Sequence, residues 1–286
     1  MNRTEWLEAR RSAVGASEVS AILGISPWST PWEVWADKRG ILDDWDGNAA
    51  TKAGNTFESA VLDHAEQTLG PLERDVRIKA DGLPLAATCD AITQDRKPVE
   101  AKTTGITGPV QGSWGDPLTD QIPDHYMVQV IAQMICTKAD MGYLFALIAG
   151  RGVVEYRVER DERLLNLISG NVAAWWERHI IKGIEPSREQ MPALDVVKRL
   201  KKVPSKTTVL PGSTSVLIDE RERYKVIAKD TKKNLDRIEA EILLALGDAE
   251  AGDLPDGRQL TYMETERAGY TVQPTKYRTL RVRKAK

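Results

Sequence analysis

The chain has 286 residues, enough for one full hydrophobic core with an appendage. Its 40 basic and 42 acidic residues give a formal net charge of −2, so DNA binding would rely on local basic patches rather than on an overall positive field. Two cysteines are too few for a disulfide framework or a four-cysteine iron–sulfur site, and we expect both to be free and buried. The sequence has no long apolar run and no signal-peptide layout, which predicts a cytoplasmic protein without a membrane segment.

The N-terminal region contains two helix signals. Gly15-Ala16-Ser17-Glu18 reads as a capped helix start. Around Ser29-Thr30-Pro31, a second helix start, Trp28, Trp32 and Trp35 recur at helical spacing. This stripe favours an amphipathic face turned toward the core, and the alternative is a wedge that stacks on bases at a duplex end.

After a helix predicted at Thr56–Leu69, two short predicted strands carry the most specific pattern of the chain. The apolar, partly β-branched run Leu85–Thr93 is followed by the polar, turn-like run Gln94–Lys97. The next run, Pro98–Thr103, again reads as a strand. The sequence therefore predicts a β-hairpin here.

Three ionisable side chains converge on one face of this hairpin. Asp90 is predicted to lie opposite Glu100 or one diagonal step away, with Cβ atoms about 4.5–8 Å apart. Lys102 is two residues beyond Glu100 and leaves the same face of the strand. Hard cations such as Mg²⁺ bind carboxylates, and the backbone carbonyl of Ala101 would add an oxygen. The amine of Lys102 would activate or orient a water, or stabilise charge on a phosphate.

The alternative interpretation is that these are solvated hairpin charges. The apolar flanks argue against it, because buried charges need a compensating ion or partner. The hairpin thus suggests a metal-dependent phosphodiesterase.

Beyond the hairpin, residues 105–124 are rich in Gly and Pro and read as a long loop that borders the path of DNA. Periodicity then predicts two helices and two strands: helix Asp124–Lys138, strands Gly142–Ala149 and Val153–Val158, and helix Asp161–Lys182.

The character of the chain changes after Pro186. A basic, proline-punctuated stretch leads into a long amphipathic helix predicted at Ser215–Leu246, which would pack on the core or form a helical contact with another chain. Gln259–Glu264 and Tyr270–Val272 suggest a terminal hairpin. We predict a core domain of residues 1–190 and a C-terminal extension of residues 191–286. Local basic patches are expected at three places: Arg10-Arg11, residues 198–202 with Lys206, and the tail at 276–286, whose alternative role is solubility.

Several motifs together resemble the lambda-exonuclease/YqaJ-type viral recombinase branch of the PD-(D/E)xK nucleases. Asp90, Glu100 and Lys102 fit the nuclease signature. The other matching segments, in the family order, are Arg10-x₄-Gly15-Ala16-Ser17-Glu18, Gly54-x₃-Glu58, Tyr126-x₂-Gln129-Val130 and the strand-to-helix boundary at Val158–Glu162. Three positions depart from the pattern. Cys89 replaces the usual proline, Thr88 replaces a serine, and Ile131 stands where a second glutamine is common.

The resemblance implies a fold and a set of roles. The fold would be α/β and restriction-endonuclease-like, a central mixed β-sheet flanked by helices, with a C-terminal helical and hairpin extension. Asp90, Glu100 and the Ala101 carbonyl would hold Mg²⁺, for which Mn²⁺ would substitute. Lys102 would be catalytic, and Gln129 and Glu58 would complete the catalytic set, with Glu58 also a possible metal ligand. Phosphate would be bound by Arg10, Ser17 and Thr88.

The function implied by the resemblance is a Mg²⁺-dependent 5′-to-3′ exonuclease on linear double-stranded DNA. It would leave 3′ single-stranded tails for phage-type homologous recombination in a bacterial host, together with a single-strand-annealing partner. A homo-oligomer is expected, with a trimeric ring as one form. Two alternatives stay open, a structure-specific DNA endonuclease of the same fold and a non-catalytic scaffold that binds DNA ends.

Overall fold

The computed structural model describes residues 10–43, 47–104, 114–266 and 280. The chain divides into two compact units, Met1–Pro204 and Ser205–Lys286. The functional boundary after residue 190 stays a prediction, as does the role of the second unit. Among the described residues, no helix is long and apolar enough to cross a membrane.

The first unit is built on one six-stranded mixed sheet. Its strands are β1 (Val14–Gly15), β2 (Leu72–Lys79), β3 (Leu85–Thr93), β4 (Pro98–Thr104), β5 (Met141–Ile148) and β6 (Gly152–Glu159). β4 and β5 run parallel, whereas the pairs β2–β3, β3–β4 and β5–β6 are antiparallel. The expected central mixed sheet flanked by helices is confirmed, with the hairpin β3–β4 at its centre.

Helices cover the sheet. They are α1 (Val19–Ile22, after a 3₁₀ turn at Ala16–Glu18), α2 (Pro31–Lys38), α3 (Ala49–Leu69), α4 (Asp124–Thr137), α5 (Glu162–Trp176, continued by a π-helical turn at Glu177–Ile181) and α6 (Leu194–Lys198). α2 begins as its sequence predicts, because the Thr30 hydroxyl caps the amide of Glu33 and the Glu33 carboxylate accepts from the amide of Thr30. α3 begins at Ala49 behind an Asn48 cap, earlier than the predicted start at Thr56.

The two edges of β3 differ in how completely they pair with other strands, and the candidate site lies where the pairing is incomplete. β2 pairs with β3 along most of its length, from Leu72↔Thr93 to Lys79↔Ala86. The other edge is shared by β1, which pairs at Leu85 and Ala86, and by β4, which pairs only at Ala91 and Ile92. The segment between these two short ladders has no strand partner on that edge among the described residues. β3 and β4 therefore separate on the N-terminal side of Ala91, at Asp90, and we call this point the fork.

Gly142 allows α4 to pack unusually close to β5. A Cβ at this position would lie 2.5 Å from Cγ1 of Val130 and 3.3 Å from Met134. Both of those side chains are fully buried on α4. Glycine at this point thus permits the close approach of helix and sheet that brings polar side chains of α4 to the fork.

The second unit contains the helix α7 (Ser213–Leu246) and a small hairpin of β7 (Ala251–Asp253) and β8 (Gln259–Thr261). None of the residues of α7 is buried, so neither role predicted for its apolar stripe is decided. The hairpin pairs residues 259–261 with the strand that precedes them. Residues 270–272, expected to form its second strand, lie outside the described residues.

Candidate active site

Asp90 lies at the fork between β3 and β4. Continuing the ladder register Ala91↔Val99 by one step places Asp90 opposite Glu100, but the strands no longer pair there. The Asp90 Oδ2 atom accepts a hydrogen bond from the backbone N–H of Ala101 at 2.8 Å instead. In a strand the N–H and C=O of one residue point to the same side, so the Ala101 carbonyl also faces the fork. The predicted metal ligands, Asp90 of β3 with Glu100 and the Ala101 carbonyl of β4, are thus brought together.

Glu100 is almost completely buried, with 2% of its surface exposed, and both of its carboxylate oxygens accept hydrogen bonds. Oε1 accepts from Nε2 of Gln129 at 2.6 Å and from Nζ of Lys102. Oε2 accepts from Nε2 of Gln133. A buried carboxylate needs such partners because its desolvation is costly. Gln129, predicted as a site residue, is therefore in contact with the acid, and Gln133 is an addition.

Lys102 forms an ion pair with Glu100 and lies over the ring of Tyr126, with Nζ 5.3 Å from the ring centroid. Burial alone would lower the pKa of Lys102, but the Glu100 and Asp90 carboxylates outweigh it and raise that pKa. The lysine is thus held as an ammonium ion. This charge is suited to orienting a water or stabilising a phosphate and is not suited to accepting a proton.

The acids of the site disfavour each other's charge. Burial and the neighbouring Glu100 raise the pKa of Asp90 to about 8. Burial and Glu100 also raise the pKa of Glu58, which lies on α3 and is half-buried. Perturbed carboxyl groups gathered in one place are typical of catalytic and metal-binding sites.

The residues at the fork fit a divalent cation. They supply two carboxyl groups and a carbonyl, all hard oxygen donors, and a bound cation would favour the ionised form of Asp90, whose pKa is raised without it. Among the described residues, no three His, Cys, Asp or Glu side chains gather closely enough to form a metal cluster. A cation here would therefore be held by Asp90, Glu100 and the Ala101 carbonyl, with Glu58 within electrostatic range and outside any three-acid group.

Arg10 is held at the start of the sheet by acids on two elements. Its Nε donates to Asp37 at 3.1 Å and its Nη2 to Glu18 at 3.3 Å. Glu18 also accepts from the amide of Gly15 at 2.7 Å and pairs with Lys38 at 2.5 Å. The Lys38 side chain is fully buried and donates to the carbonyl of Arg10 at 2.8 Å. The predicted phosphate-binding segment is thus fastened by a buried ion pair that the sequence did not reveal.

A cleft of about 270 Å³ extends from this segment to Gln129, whose side chain contacts Glu100 at the fork. It is lined by four of the predicted site residues, Arg10, Ser17, Thr88 and Gln129, and by Arg77, which was not predicted. Glu18 and the small residues Ala13, Gly15, Ala16 and Ala86 complete the lining. Arg77 is the cross-strand partner of Thr88 in the β2–β3 ladder. The structure therefore gathers the predicted phosphate-binding residues around one opening that ends at Gln129.

The other sequence features have mixed outcomes. Trp32 is buried and Trp35 half-buried, which agrees with the favoured core interpretation, whereas Trp28 is 61% exposed. Cys89 and Cys136 are free and buried, as expected. Part of the basic stretch at 198–202 is used internally, since Lys201 Nζ donates to the carbonyl of Gly40 at 2.7 Å. The segment 105–113 and the tail, apart from residue 280, lie outside the described residues.

Residues 5–140 match the model of the YqaJ-like viral recombinase domain. The chain carries this domain. The match spans every predicted site residue, from Arg10 to Gln129, and the resemblance drawn from the motifs is confirmed.

Three proteins of known sequence or structure are similar to this chain. The protein YqaJ of Bacillus subtilis (strain 168) is 30% identical over 202 residues, which are 68% of this chain and 60% of that protein. The chain thus spans about 60% of the length of this relative. An alkaline exonuclease of Laribacter hongkongensis superposes with a TM-score of 0.49 at 19% identity, covering 63% of this chain and 93% of that one. A phage-related exonuclease of Haemophilus somnus gives a TM-score of 0.43 at 16% identity, covering 60% and 96%.

Proposed function

We propose that this chain is a metal-dependent nuclease that degrades linear double-stranded DNA from its ends, in the 5′-to-3′ direction. The observation that carries the proposal is the fork of β3 and β4, where Asp90, Glu100 and Lys102 meet. Gln129, which donates to Glu100, also lines a cleft that contains arginines and hydroxyls. The presence of a YqaJ-like viral recombinase domain supports the same class of activity.

Each residue at the fork has a different role in the proposed phosphodiester hydrolysis. Asp90 and Glu100 provide the negative charge that attracts a cation, and the Ala101 carbonyl faces them. Lys102, held as an ammonium ion, donates hydrogen bonds to the attacking water or to the scissile phosphate. Gln129 contacts Glu100 and also lines the cleft, so its amide is placed to orient a water between acid and substrate.

Mg²⁺ is the proposed cofactor, and Mn²⁺ would replace it. When bound, such an ion supplies Lewis-acid stabilisation of the charge that develops on the phosphate. The oxygen donors at the fork match the preference of both ions.

Recognition of the end would rest on the cleft. Arg10 is oriented by Asp37 and Glu18, so its guanidinium is held in place before substrate arrives. A planar guanidinium with hydroxyl neighbours, here Ser17 and Thr88, is suited to a terminal phosphate. We therefore propose that a 5′-phosphate is bound at this cleft, which gives the reaction its direction.

We propose that the product is a 3′-ended single strand used in phage-type recombination with a single-strand-annealing protein. We also propose a homo-oligomer that surrounds DNA. Because the formal net charge is −2, a ring would place its local basic surfaces toward the DNA rather than depend on overall charge.

A degradation assay with strand-specific labels tests the activity. Linear duplex DNA carrying a radioactive phosphate at its 5′ ends, which leaves the terminal phosphate free, and a dye at its 3′ ends is incubated with the protein and Mg²⁺, and with EDTA as the control. We expect early loss of the 5′ labels, persistence of the 3′ labels and no reaction in EDTA.

Two comparisons separate the proposal from its alternatives. Closed circular plasmid should survive under conditions that degrade the same plasmid after linearisation. Cleavage of the circle would instead identify an endonuclease. Binding of duplex ends without loss of any label would identify a scaffold and contradict the proposal.

A further inference from the structure

Gln133 is a completely buried amide, with 0% of its surface exposed, that contacts Glu100 directly. It lies one helical turn after Gln129 on α4, so the two side chains project from the same face of the helix. Gln129 donates to Oε1 of Glu100 and Gln133 to Oε2. The two oxygens of one carboxylate are thus held by two successive turns of one helix.

The two oxygens differ in their surroundings. Oε1 is shared by Gln129, which lines the cleft, and by Lys102, whose side chain is 21% exposed. Oε2 is turned toward Gln133, which has no exposed surface. One oxygen therefore faces the opening, and the other faces the interior of the protein.

The amide of Gln133 is not explained by packing alone. Its own Oε1 atom is buried and has no hydrogen-bond partner among the residues that the structure describes. An unsatisfied buried carbonyl costs free energy that a leucine or methionine of similar size would avoid. The described contact that requires an amide at this position is the hydrogen bond to Glu100.

We propose that Gln133 is a positioning residue that fixes the rotamer of Glu100, so that this carboxylate presents only Oε1 to a divalent cation. This inference rests on the proposed nuclease function and extends its metal site to a residue outside the recognised motifs. Residues that hydrogen-bond a metal ligand in this way commonly affect metal affinity by about 10- to 100-fold.

The test is a titration of the full chain with Mn²⁺ in the absence of DNA. Binding is measured from the electron paramagnetic resonance signal of the free Mn²⁺. Gln133→Leu removes the donor and keeps the volume. We expect its affinity for Mn²⁺ to fall by about 10- to 100-fold relative to the unchanged protein. An affinity that is unchanged or tighter overturns the proposal.

A matched control separates positioning from loss of packing. Met134 is the next residue on α4, is fully buried and is not a partner of Glu100 in the contacts above. Met134→Ala should lower the melting temperature while leaving Mn²⁺ affinity within about twofold. Equal losses of affinity in Met134→Ala and Gln133→Leu would show that only the packing of α4 matters.

Where Gln133→Leu does not fold, Gln133→Met is titrated instead, and a chain that tolerates neither change has Gln133 as a folding residue, which overturns the positioning role. Failure of the unchanged protein to bind Mn²⁺ contradicts the proposed function itself. Binding by the unchanged protein and equal binding by the variant contradict only the role of Gln133.

Discussion

The Asp90 carboxylate takes the place of a strand partner for Ala101, accepting its backbone N–H at 2.8 Å where the β3–β4 ladder ends. A main-chain donor that would otherwise be unsatisfied is thus capped by an acid. The same contact holds the carboxyl group of Asp90 beside buried Glu100, and burial together with this neighbour favours the protonated form of Asp90. The hydrogen bond satisfies the backbone at the fork, whereas burial and Glu100 disfavour the ionised form of Asp90. A bound cation would stabilise that ionised form.

The first prediction concerns pH. Burial and Glu100 raise the pKa of Asp90 to about 8, whereas in the unfolded chain it is near 3.9. Between these values the folded state holds the proton that the unfolded state has released, so stability falls as pH rises, by at most about 1.4 kcal/mol per pH unit. In EDTA, thermal melts should show this fall from about pH 4.5 to 8, and Asp90→Asn should remove most of it.

The control for this experiment is Asp95→Asn on the same hairpin. Hydrogen bonds from Thr93 and Lys97 lower the pKa of Asp95, so it is already ionised throughout this range. Its removal should leave the slope unchanged. Identical slopes in the unchanged protein and in Asp90→Asn would contradict the shifted pKa.

The second prediction concerns Lys102. Lys102→Ala removes the ammonium that pairs with Glu100 and should lower the single-turnover rate of DNA cleavage by about 100-fold or more. Binding of duplex DNA, measured by fluorescence anisotropy, should persist because the cleft residues are untouched. Lys97→Ala is the matched control, since Lys97 lies on the same hairpin and pairs with Asp95 at the turn, at 3.0 Å. Undiminished cleavage by Lys102→Ala would end the proposed mechanism.

Local patterns were sufficient to predict the hairpin. The two-residue period of a strand put Glu100 and Lys102 on one face, and the short polar turn limited the offset of Asp90 to one or two choices. Gln133 was missed because the family motif has its second glutamine two residues after Gln129. The helical period gives the relevant signal, a second amide four residues on.

Other parts of the site depend on contacts between distant segments. The strand Leu72–Lys79 is highly charged and was not predicted, so Arg77 could not be placed beside Thr88. Lys38 reads as an ordinary surface cation at the end of a helix. Its burial follows from the packing of α2 against the segment of Arg10 and Glu18, which no local period records.

The third prediction concerns Arg77. Its position next to Thr88 in the ladder adds a second arginine to the cleft that contains Arg10. Arg77→Met should weaken binding of duplex ends and reduce the salt dependence of binding by about one phosphate contact. Arg163→Met is the control, because Arg163 has a 93% exposed side chain at the start of α5. A salt dependence equal to that of the unchanged protein would exclude a phosphate contact.

The fourth prediction concerns the pair of Lys38 and Glu18. Lys38→Met leaves the Glu18 carboxylate without its buried partner, which should destabilise the fold by about 3 kcal/mol. The loss should be accompanied by a smaller preference for 5′-phosphorylated over 5′-hydroxyl ends, because Lys38 also binds the carbonyl of Arg10. Lys232→Met, which breaks an exposed pair with Asp236 on α7, should change neither quantity measurably. Full stability in Lys38→Met would show that the pair does not fasten the segment.

The fifth prediction concerns the close packing of α4 on β5. In Gly142→Ala the new methyl group would lie 2.5 Å from Cγ1 of Val130, so the helix must shift, at a cost of about 1–3 kcal/mol. Because the same helix carries Gln129 and Gln133, cleavage should fall in the folded protein as well. Adding Val130→Ala removes the clashing group, so the double variant should lose less stability than the sum of the two single changes in chemical denaturation. Strict additivity would mean that the helix does not depend on glycine at this position to reach Glu100.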